Sequence, residues 1–571
     1  MPAAPKFNRH SWVQLWKISK AYYAGPKRKV AWLMFGGLIT LSLIVAGVGV
    51  IANAANGAFF TSLEQGDEEG YYRALWVYLA TFLASIPCAA FYKYIEERLA
   101  LHWREDLARN LMRRYFHNRA YYHLAASDEI DNPDQRISED VRNFTTTTLS
   151  FVLIFMNSMI QAAAYTGVLW SISKTVVGVL YGYAIGGTVI ALLIGKRLVG
   201  LNYHQYEREA NLRHGLIRVR DHSESIAFYR GERREFRDLR WRLGEAVGNM
   251  VSLIKWNRNL AFFTTGYNSV ALILPVILVA PLFLRGEVQF GDIARTVGAF
   301  SVVLAAVSLI ITQFERLSAF AAGVTRLGAL WENLDERDEE EDLESDEERI
   351  ETQDNERVIE LEDLTVRTPD GGRELLRDLS LKVPTGTSLL IMGPSGSGKS
   401  SLLRTIAGLW TTGSGSISRP PYRELMFLPQ RPYVNMGTLR GQLEYPGKSG
   451  MIPDDQLSEI LKVVNLVEIL ERVDGDFDRR VDWGAILSLG EQQRLSFARL
   501  FLRKPSIAFL DESTSALDEE NETRLYELMR RHKQTFLSVG HRSTLRKHHD
   551  WMLEMDKVGK WKLTPLPKGG G

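Results

Sequence analysis

The sequence predicts a membrane α-helical bundle of six transmembrane helices fused to an α/β domain of the phosphate-loop type. Six apolar segments precede residue 330, and each approaches the roughly 20 residues that the hydrocarbon core of a bilayer requires. Charged residues concentrate after that point. Residues 393–400 read Gly-Pro-Ser-Gly-Ser-Gly-Lys-Ser, the GxxxxGK[ST] pattern of a phosphate loop, directly after an apolar run.

Composition excludes several classes of protein. The chain has 571 residues and a net charge of +1, so it lacks the basic excess of a dedicated nucleic-acid binder, and we expect no nucleic-acid partner. Its one cysteine, Cys88, lies in an apolar segment. An intramolecular disulfide is therefore impossible, and cysteine-based metal sites are excluded.

Residues 1–29 are polar and basic and are predicted to be a cytoplasmic N-terminal lead-in. The apolar run that follows is about 25 residues long, whereas the apolar core of a signal peptide has about 7–15. This run is therefore predicted to be the first membrane helix.

Residues 30–331 are predicted to form the transmembrane domain, which lies in a lipid bilayer. Its six spans are 30–54, 74–95, 146–170, 176–200, 260–284 and 293–315. The intervening segments 96–145 and 201–258 are long, arginine-rich and helical in composition, and they are predicted to extend the helices into the cytoplasm. The basic N-terminus and the short acidic loop at 57–72 place both termini in the cytoplasm.

Polar residues within or beside the spans allow two interpretations. They either line a translocation cavity or hydrogen bond between helices, as happens in most membrane bundles. The residues are Asn53, Asn56, Thr145 to Thr148, Asn157, Gln161, Asn268, Thr312 and Gln313.

The C-terminal part is divided by composition. Residues 332–357 are acidic and poor in aromatic residues, so they are predicted to be a solvated linker. Residues 358–565 are predicted to be a nucleotide-binding domain with strands at 358–361, 379–383 and 388–392, and residues 566–571 form a tail.

The phosphate loop predicts the cofactors ATP and Mg²⁺. Glycines let backbone N–H groups surround phosphates, Lys399 contacts the β- and γ-phosphates, and the Ser400 hydroxyl binds Mg²⁺. The residues predicted here to bind the nucleotide are Gly393, Ser395, Gly396, Gly398, Lys399, Ser400 and Ser401.

A second apolar strand, at 507–510, ends in two carboxylates. Asp511 is predicted to help hold Mg²⁺, and Glu512 is placed to polarise the attacking water as a general base.

Over essentially its whole length, the chain resembles the ATP-binding cassette transporters. With one membrane domain and one ATPase domain, it resembles a half-transporter of that family. Residues 487–491, Leu-Ser-Leu-Gly-Glu, are similar to the family signature Leu-Ser-Gly-Gly-Gln. The resemblance implies that Gln430 senses Mg²⁺ and that His541 contacts the γ-phosphate. It also implies a D-loop at 515–518.

In that family, two half-transporters enclose two ATP molecules, and the signature of one faces the phosphate loop of the other. The resemblance therefore implies a second half-transporter as partner, most simply in a homodimer. It implies that Ser488 and Gly490 contact the partner's γ-phosphate, with Glu491 and Asp518 beside them. The aromatic residue that usually stacks on adenine is missing from residues 365–369, where Arg367 is the alternative, so the choice between ATP and GTP stays open.

Residues 132–140 and 225–232 resemble the D subfamily, which includes peroxisomal acyl-CoA transporters and a lysosomal cobalamin transporter. The signature variant is also similar to a bacterial branch whose membrane domain resembles peptide-antibiotic uptake permeases. The implied fold is exporter-like. The implied cargo is a fatty acid or acyl-CoA-like compound, or else cobalamin, a peptide or another hydrophilic compound. The implied location is the bacterial inner membrane, with the ATPase domain in the cytoplasm, and a peroxisomal or lysosomal membrane is the alternative.

Three functions compete. The leading one is an ATP-driven transporter that works as a dimer by alternating access. The second is an ATP-gated regulatory membrane protein without transport of its own, which degradation of Glu512 or His541 would favour, yet both are intact. A soluble ATP-binding cassette protein of translation or DNA repair is disfavoured by the six spans.

Overall fold

The computed structural model describes residues 9–127, 130–342, 349–355, 358–369 and 372–567. It divides into two compact units, Met1–Glu344 and Ser345–Gly571. Parts of the predicted lead-in, linker and tail lie outside the described residues, namely 1–8, 343–348, 356–357 and 568–571.

The first unit is helical. Its helices are α1 (Arg9–Tyr23), α2 (Arg28–Gln65), α3 (Glu68–Phe116), α4 (Ala120–Ser127), α5 (Pro133–Gln135), α6 (Val141–Ile172), α7 (Lys174–Asp221), α8 (Ser223–Tyr229), α9 (Glu232–Leu284), α10 (Phe290–Val307) and α11 (Leu309–Asp342). A wider helical turn at Arg136–Asp140 joins α5 to α6.

Six of the described helical segments are long and apolar enough to cross a membrane, which confirms the predicted bundle. They contain α2, α3, α6, α7, α9 and α10. Helices α3, α7 and α9 continue well beyond the apolar spans, as the composition of residues 96–145 and 201–258 predicts. A turn at residues 131–134 interrupts the segment 96–145, with Asn132 in the left-handed region at φ 47°.

The sixth span differs from the prediction of one segment at 293–315. Helix α10 ends at Val307 and α11 begins at Leu309. Ser308 between them has φ −81° and ψ 9°, and its hydroxyl lies 3.5 Å from that of Tyr267 in α9. Tyr267 lies 41 residues before Ser308, so the apolar pattern of the span does not reveal this contact.

Several polar side chains of the spans hydrogen bond inside the unit. The Ser42 hydroxyl donates to Asn157 at 2.8 Å, and the Asn53 amide donates to the Arg295 carbonyl at 3.2 Å. Thr145 bonds to the carbonyl of Val141 in its own helix. For Asn53 and Asn157 the interpretation as groups that hydrogen bond between helices holds, whereas the Thr145 bond stays within α6.

Helices α2 and α10 approach each other closely through two glycines. A Cβ atom on Gly291 would lie 1.8 Å from the carbonyl oxygen of Gly57 and 2.4 Å from the Thr61 hydroxyl oxygen. The Gly291 N–H donates to that hydroxyl at 3.0 Å. Any larger residue at Gly291 would therefore force these helices apart.

The segment 332–357 is only partly the solvated linker that its composition predicts. Helix α11 continues to Asp342, with Leu334 buried in the first unit. Residues Glu351–Asp354 form an edge strand, β1, whose four side chains are all exposed. An edge strand is held by backbone hydrogen bonds and needs no apolar side chains. Composition alone therefore does not predict this strand.

The second unit is α/β. Its strands are β1 (Glu351–Asp354), β2 (Ile359–Arg367), β3 (Glu374–Val383), β4 (Ser388–Met392), β5 (Gly413–Arg419), β6 (Leu425–Leu428), β7 (Met436–Thr438), β8 (Arg480–Asp482), β9 (Ile507–Asp511), β10 (Thr535–Val539), β11 (Trp551–Met555) and β12 (Trp561–Pro565). Its helices are α12 (Lys399–Ile406), α13 (Leu439–Glu444), α14 (Asp454–Val463), α15 (Val467–Glu471), α16 (Trp483–Ile486), α17 (Leu489–Arg503) and α18 (Glu519–Arg531).

The largest sheet has the strand order β12-β11-β4-β10-β9-β6. All its pairings are parallel except the one between β11 and β12. The three central strands β4, β10 and β9 are almost wholly buried, as expected for a parallel sheet covered on both faces. A second sheet has the order β1-β5-β2-β3, and β7 pairs with β8.

Candidate nucleotide-binding site

Four parallel strands of the large sheet direct four loops to one edge. The phosphate loop follows β4, Gln430 follows β6, Glu512 follows β9 and His541 follows β10. Because the carboxyl ends of parallel strands meet at the same edge, residues far apart in the sequence come together there. Ligands of open α/β sheets bind at this edge.

The phosphate loop requires its glycines. Gly396 and Gly398 have φ angles of 81° and 89°, and a Cβ on Gly393 would lie 2.3 Å from the Met555 carbonyl oxygen. Gly398 directly precedes α12, whose first turn contains Ser400 and Ser401. Backbone N–H groups at such a helix start favour phosphate. Ser395 and Gly396 in this loop are exposed.

Lys399 lies inside this loop. Its Nζ donates to the carbonyls of Gly393 and Pro394 at 2.9 and 3.0 Å, and the residue is only 6% exposed. Burial lowers the pKa of Lys399, while the carboxylates of Glu512 and Asp511 oppose that shift. A phosphate group close to Lys399 would add further counter-charge to this buried cation.

Ser400 and Asp511 meet at the end of β9. The Ser400 hydroxyl donates to Oδ1 of Asp511 at 2.9 Å. Burial raises the pKa of Asp511, and the Ser400 hydrogen bond acts in the opposite direction. A hydroxyl and a carboxylate oxygen at this spacing are hard oxygen ligands that fit Mg²⁺.

Glu512 lies at the centre of the sheet edge that carries the four loops. Its backbone has φ 49°, and its N–H donates to the Val539 carbonyl at 3.1 Å. One carboxylate oxygen accepts a hydrogen bond from the Gln430 amide at 2.8 Å, and the other lies 3.0 Å from Nε2 of His541. The three residues predicted to be catalytic are therefore in direct contact.

The signature residues form a separate group at the start of α17. Ser488 caps the helix and Glu491 completes a capping box with it, in which Ser488 accepts the Glu491 N–H at 3.3 Å. A Cβ on Gly490 would lie 3.0 Å from the Ala516 carbonyl oxygen, so glycine permits the D-loop to pack close by. Asp518 caps α18 through the N–H of Asn521 at 2.7 Å, and this hydrogen bond lowers the pKa of Asp518.

These two groups of predicted residues are not in direct contact. Among the described residues, no hydrogen bond joins Ser488 or Glu491 to residues 393–401. Within one chain, the signature and the phosphate loop therefore do not form a single hydrogen-bonded site.

Sequence reasoning missed Gln493, which is 0% exposed. Its Nε2 donates to the Gln430 carbonyl at 3.1 Å and to the Ser515 hydroxyl at 3.2 Å, and its Oε1 accepts the Ala516 N–H at 3.0 Å. Gln493 thus joins the segments of Gln430, the signature and the D-loop. The available signal was a glutamine five residues after Ser488, one helical turn before Phe497.

A phosphate-loop edge of this kind, in one chain with six membrane helices, defines a membrane-bound nucleotide hydrolase. Residues 18–284 match the family described as ABC transporter transmembrane region 2, and residues 376–515 match the family described as ABC transporter.

Full-length relatives narrow the assignment. An uncharacterised ABC transporter ATP-binding protein of Synechocystis sp. is 44% identical over 95% of this chain and 82% of its own length. ABC transporter D family member 2, chloroplastic, of Arabidopsis thaliana is 37% identical over 95% and 86%. The human lysosomal cobalamin transporter is 33% identical over 93% of this chain and 92% of its own length. The chain belongs to the D subfamily of ABC transporters and is an ATP-hydrolysing, multi-pass membrane half-transporter.

A solved structure gives the same fold. A bacterial Atm1-family ABC exporter with ATP bound superposes with a TM-score of 0.72 at 17% identity, covering 92% of this chain and 95% of the exporter. The predicted fold class, an exporter-like helical bundle with a phosphate-loop domain, is thereby confirmed.

Proposed function

We propose that this protein is an ATP-driven transporter that works as a dimer of half-transporters and couples ATP binding and hydrolysis to alternating access. The observation that carries this proposal is the contact of Gln430, Glu512 and His541 at the sheet edge beside Lys399. All the groups for hydrolysis are present in one chain with six membrane helices.

In this account, Glu512 is the general base. Its carboxylate accepts a proton from the water that attacks the γ-phosphate, and His541 and Gln430 orient that carboxylate. Lys399 and the loop N–H groups hold the phosphates and stabilise the charge that develops on them. Mg²⁺, when bound, neutralises phosphate charge, and Ser400, Asp511 and Gln430 would hold it.

The dimer follows from the separation of the two groups of site residues. Ser488 and Gly490 lie at a helix start with N–H groups suited to phosphate, yet within the described part of the chain neither hydrogen bonds to its own phosphate loop. A second copy of the chain, antiparallel to the first across the ATP, would bring them to it. Closure on ATP and reopening after hydrolysis would then drive the membrane helices.

The cargo belongs to one of two classes: fatty acids and acyl-CoA-like compounds, or cobalamin, peptides and other hydrophilic compounds. A human relative at 33% identity is named a lysosomal cobalamin transporter, which supports the second class. Bacterial relatives support a location in the bacterial inner membrane, with the termini and the ATPase domain in the cytoplasm.

The test is the ATPase rate of the full chain in lipid nanodiscs against acyl-CoAs, free fatty acids, cobalamin and peptides. Stimulation by acyl-CoAs or fatty acids alone assigns the first cargo class, and stimulation by cobalamin or peptides assigns the second. Absence of ATP hydrolysis in the wild-type protein would contradict the proposal.

A further inference from the structure

The signature serine, Ser488, is hydrogen bonded to a carboxylate that belongs to an ion pair. Arg472, at the end of α15, donates from Nη2 to Oε1 of Glu491 at 2.5 Å. The other oxygen of Glu491 accepts both the backbone N–H and the hydroxyl of Ser488, at 2.8 and 2.9 Å. The carboxylate therefore joins the Arg472 cation to both donors of Ser488.

Glu491 depends on Arg472 for its charge balance. The residue is only 9% exposed, and a buried carboxylate is costly unless it is paired and hydrogen bonded. Burial opposes ionisation, but the Arg472 guanidinium and the two Ser488 donors together hold the pKa of Glu491 below its ordinary value. The carboxylate is thus ionised near neutral pH, and Arg472 is the cation that contacts it.

The charge of Glu491 affects phosphate binding because the residue lies at the start of a helix. It is in the first turn of α17, where N–H groups would face a phosphate. An ionised carboxylate at this point repels an incoming phosphate unless a cation neutralises it. The usual signature has a neutral glutamine here, which has no such requirement.

We propose that Arg472 is a positioning residue for ATP hydrolysis. By pairing with Glu491, it neutralises the carboxylate that binds Ser488 and holds in place the first turn of α17, whose N–H groups would face the γ-phosphate of the ATP bound by the partner half-transporter. This inference rests on the proposed function, in which the signature of one copy contacts the ATP of the other.

The experiment measures ATP-driven closure instead of turnover. Full-length protein with Glu512→Gln, Cys88→Ser and Val558→Cys is spin-labelled at position 558, which is highly exposed, and placed in nanodiscs. The distance between the two labels of a dimer is recorded against ATP concentration. Binding of a fluorescent ATP analogue at the phosphate loop is measured in parallel.

Arg472→Ala should raise the ATP concentration for half-maximal closure about tenfold, the value of one charge-assisted hydrogen bond. Arg472→Gln keeps the bulk of the side chain but not its charge, and it should show the same defect. It replaces Arg472→Ala in the comparison if the alanine variant folds poorly. The double variant Arg472→Ala/Glu491→Gln should return to the value of Glu491→Gln alone, because no charge is then left unpaired.

Arg479→Ala is the matched control, since Arg479 forms a half-exposed ion pair with Asp474 in the same part of the domain. It should leave closure unchanged. Closure of the Arg472→Ala and Arg472→Gln variants at the parental ATP concentration would overturn the inference, as would a double variant no better than Arg472→Ala. Failure of the parental protein to close on ATP would overturn the proposed function and this inference with it.

Discussion

The side-chain amide of Gln430 donates a 2.8 Å hydrogen bond to the carboxylate of Glu512, across 82 residues of sequence. The opposite oxygen of that carboxylate lies 3.0 Å from His541. Both oxygens of the proposed general base therefore have a polar neighbour. Each oxygen keeps a second lone pair, so a water molecule can hydrogen bond to Glu512 beside one of these two contacts.

Replacing Glu512 by glutamine should remove the base but keep the shape of the site. We expect hydrolysis to fall about 10²–10⁴-fold while ATP binding is retained, because the amide cannot accept the proton of the attacking water. The check is ATPase rate together with nucleotide binding in nanodiscs. Glu527→Gln, which alters an exposed ion pair with Arg531 on α18, is the control. Hydrolysis near the wild-type rate in Glu512→Gln would reject Glu512 as the base.

Removal of the loop lysine should act on binding. In Lys399→Ala, the cation next to the phosphates is lost, and we expect ATP affinity to fall about 10- to 100-fold. Equilibrium binding of ATP to the full chain gives the result. The control is Lys382→Ala, since Lys382 forms an exposed ion pair with Glu360 on the other sheet. Undiminished affinity in Lys399→Ala would contradict the assignment of the phosphate loop.

Stability of the second unit should decrease in acid through two buried histidines. Burial lowers the pKa of His548 and of His549 to about 4, from an ordinary value near 6.5. The unfolded chain binds protons below about pH 6.5, whereas the folded chain does not until about pH 4. The stability that these residues contribute above pH 6.5 is therefore lost progressively as the pH falls toward 4.

The measurement is the melting temperature of the unfolding transition that ATP shifts upward, because this transition belongs to the second unit. It is recorded between pH 7.5 and 5. His549→Gln keeps a donor for the Leu545 carbonyl, which lies 2.7 Å from Nδ1, but does not titrate. Its melting temperature should fall less steeply with decreasing pH than that of the wild type. His532→Gln, at an exposed position of the same unit, serves as the control. Equal slopes for wild type and His549→Gln would count against the prediction.

Much of the fold was predictable because its patterns are local. Continuous apolar runs identify the six membrane helices and the strand Ser388–Met392, whose observed bounds match the predicted ones. The phosphate loop and the carboxylates after β9 are recognisable from spacing alone. The break at Ser308 and the exposed strand Glu351–Asp354 were not predictable, since each depends on partners distant in sequence.

The same distinction applies to the site. The motifs identify Lys399, Glu512 and His541, but Arg472 and Gln493 act through contacts that only the folded chain creates. Arg472 lies 19 residues before Glu491, and no sequence period relates them.

Packing in the membrane unit should fail when Gly291 is enlarged. The Cβ of Gly291→Ala would lie 1.8 Å from a backbone oxygen of α2, so α2 and α10 must separate, at a cost of about 1–3 kcal/mol or more. We expect a lower melting temperature and less monodisperse protein in detergent. Gly266→Ala in α9 has nothing within 4 Å of the new atom and should behave as wild type. A Gly291→Ala protein with unchanged melting temperature would contradict the observed helix contact.

In the proposed function, ATP hydrolysis moves a cargo across the membrane. The most direct measurement is ATP-dependent flux in proteoliposomes of the compound that stimulates the ATPase, with Glu512→Gln protein as the matched control. We predict a net ATP-dependent movement of that compound by the wild type and none by Glu512→Gln. Stimulated hydrolysis without flux would contradict the claim and would instead favour an ATP-gated regulatory membrane protein.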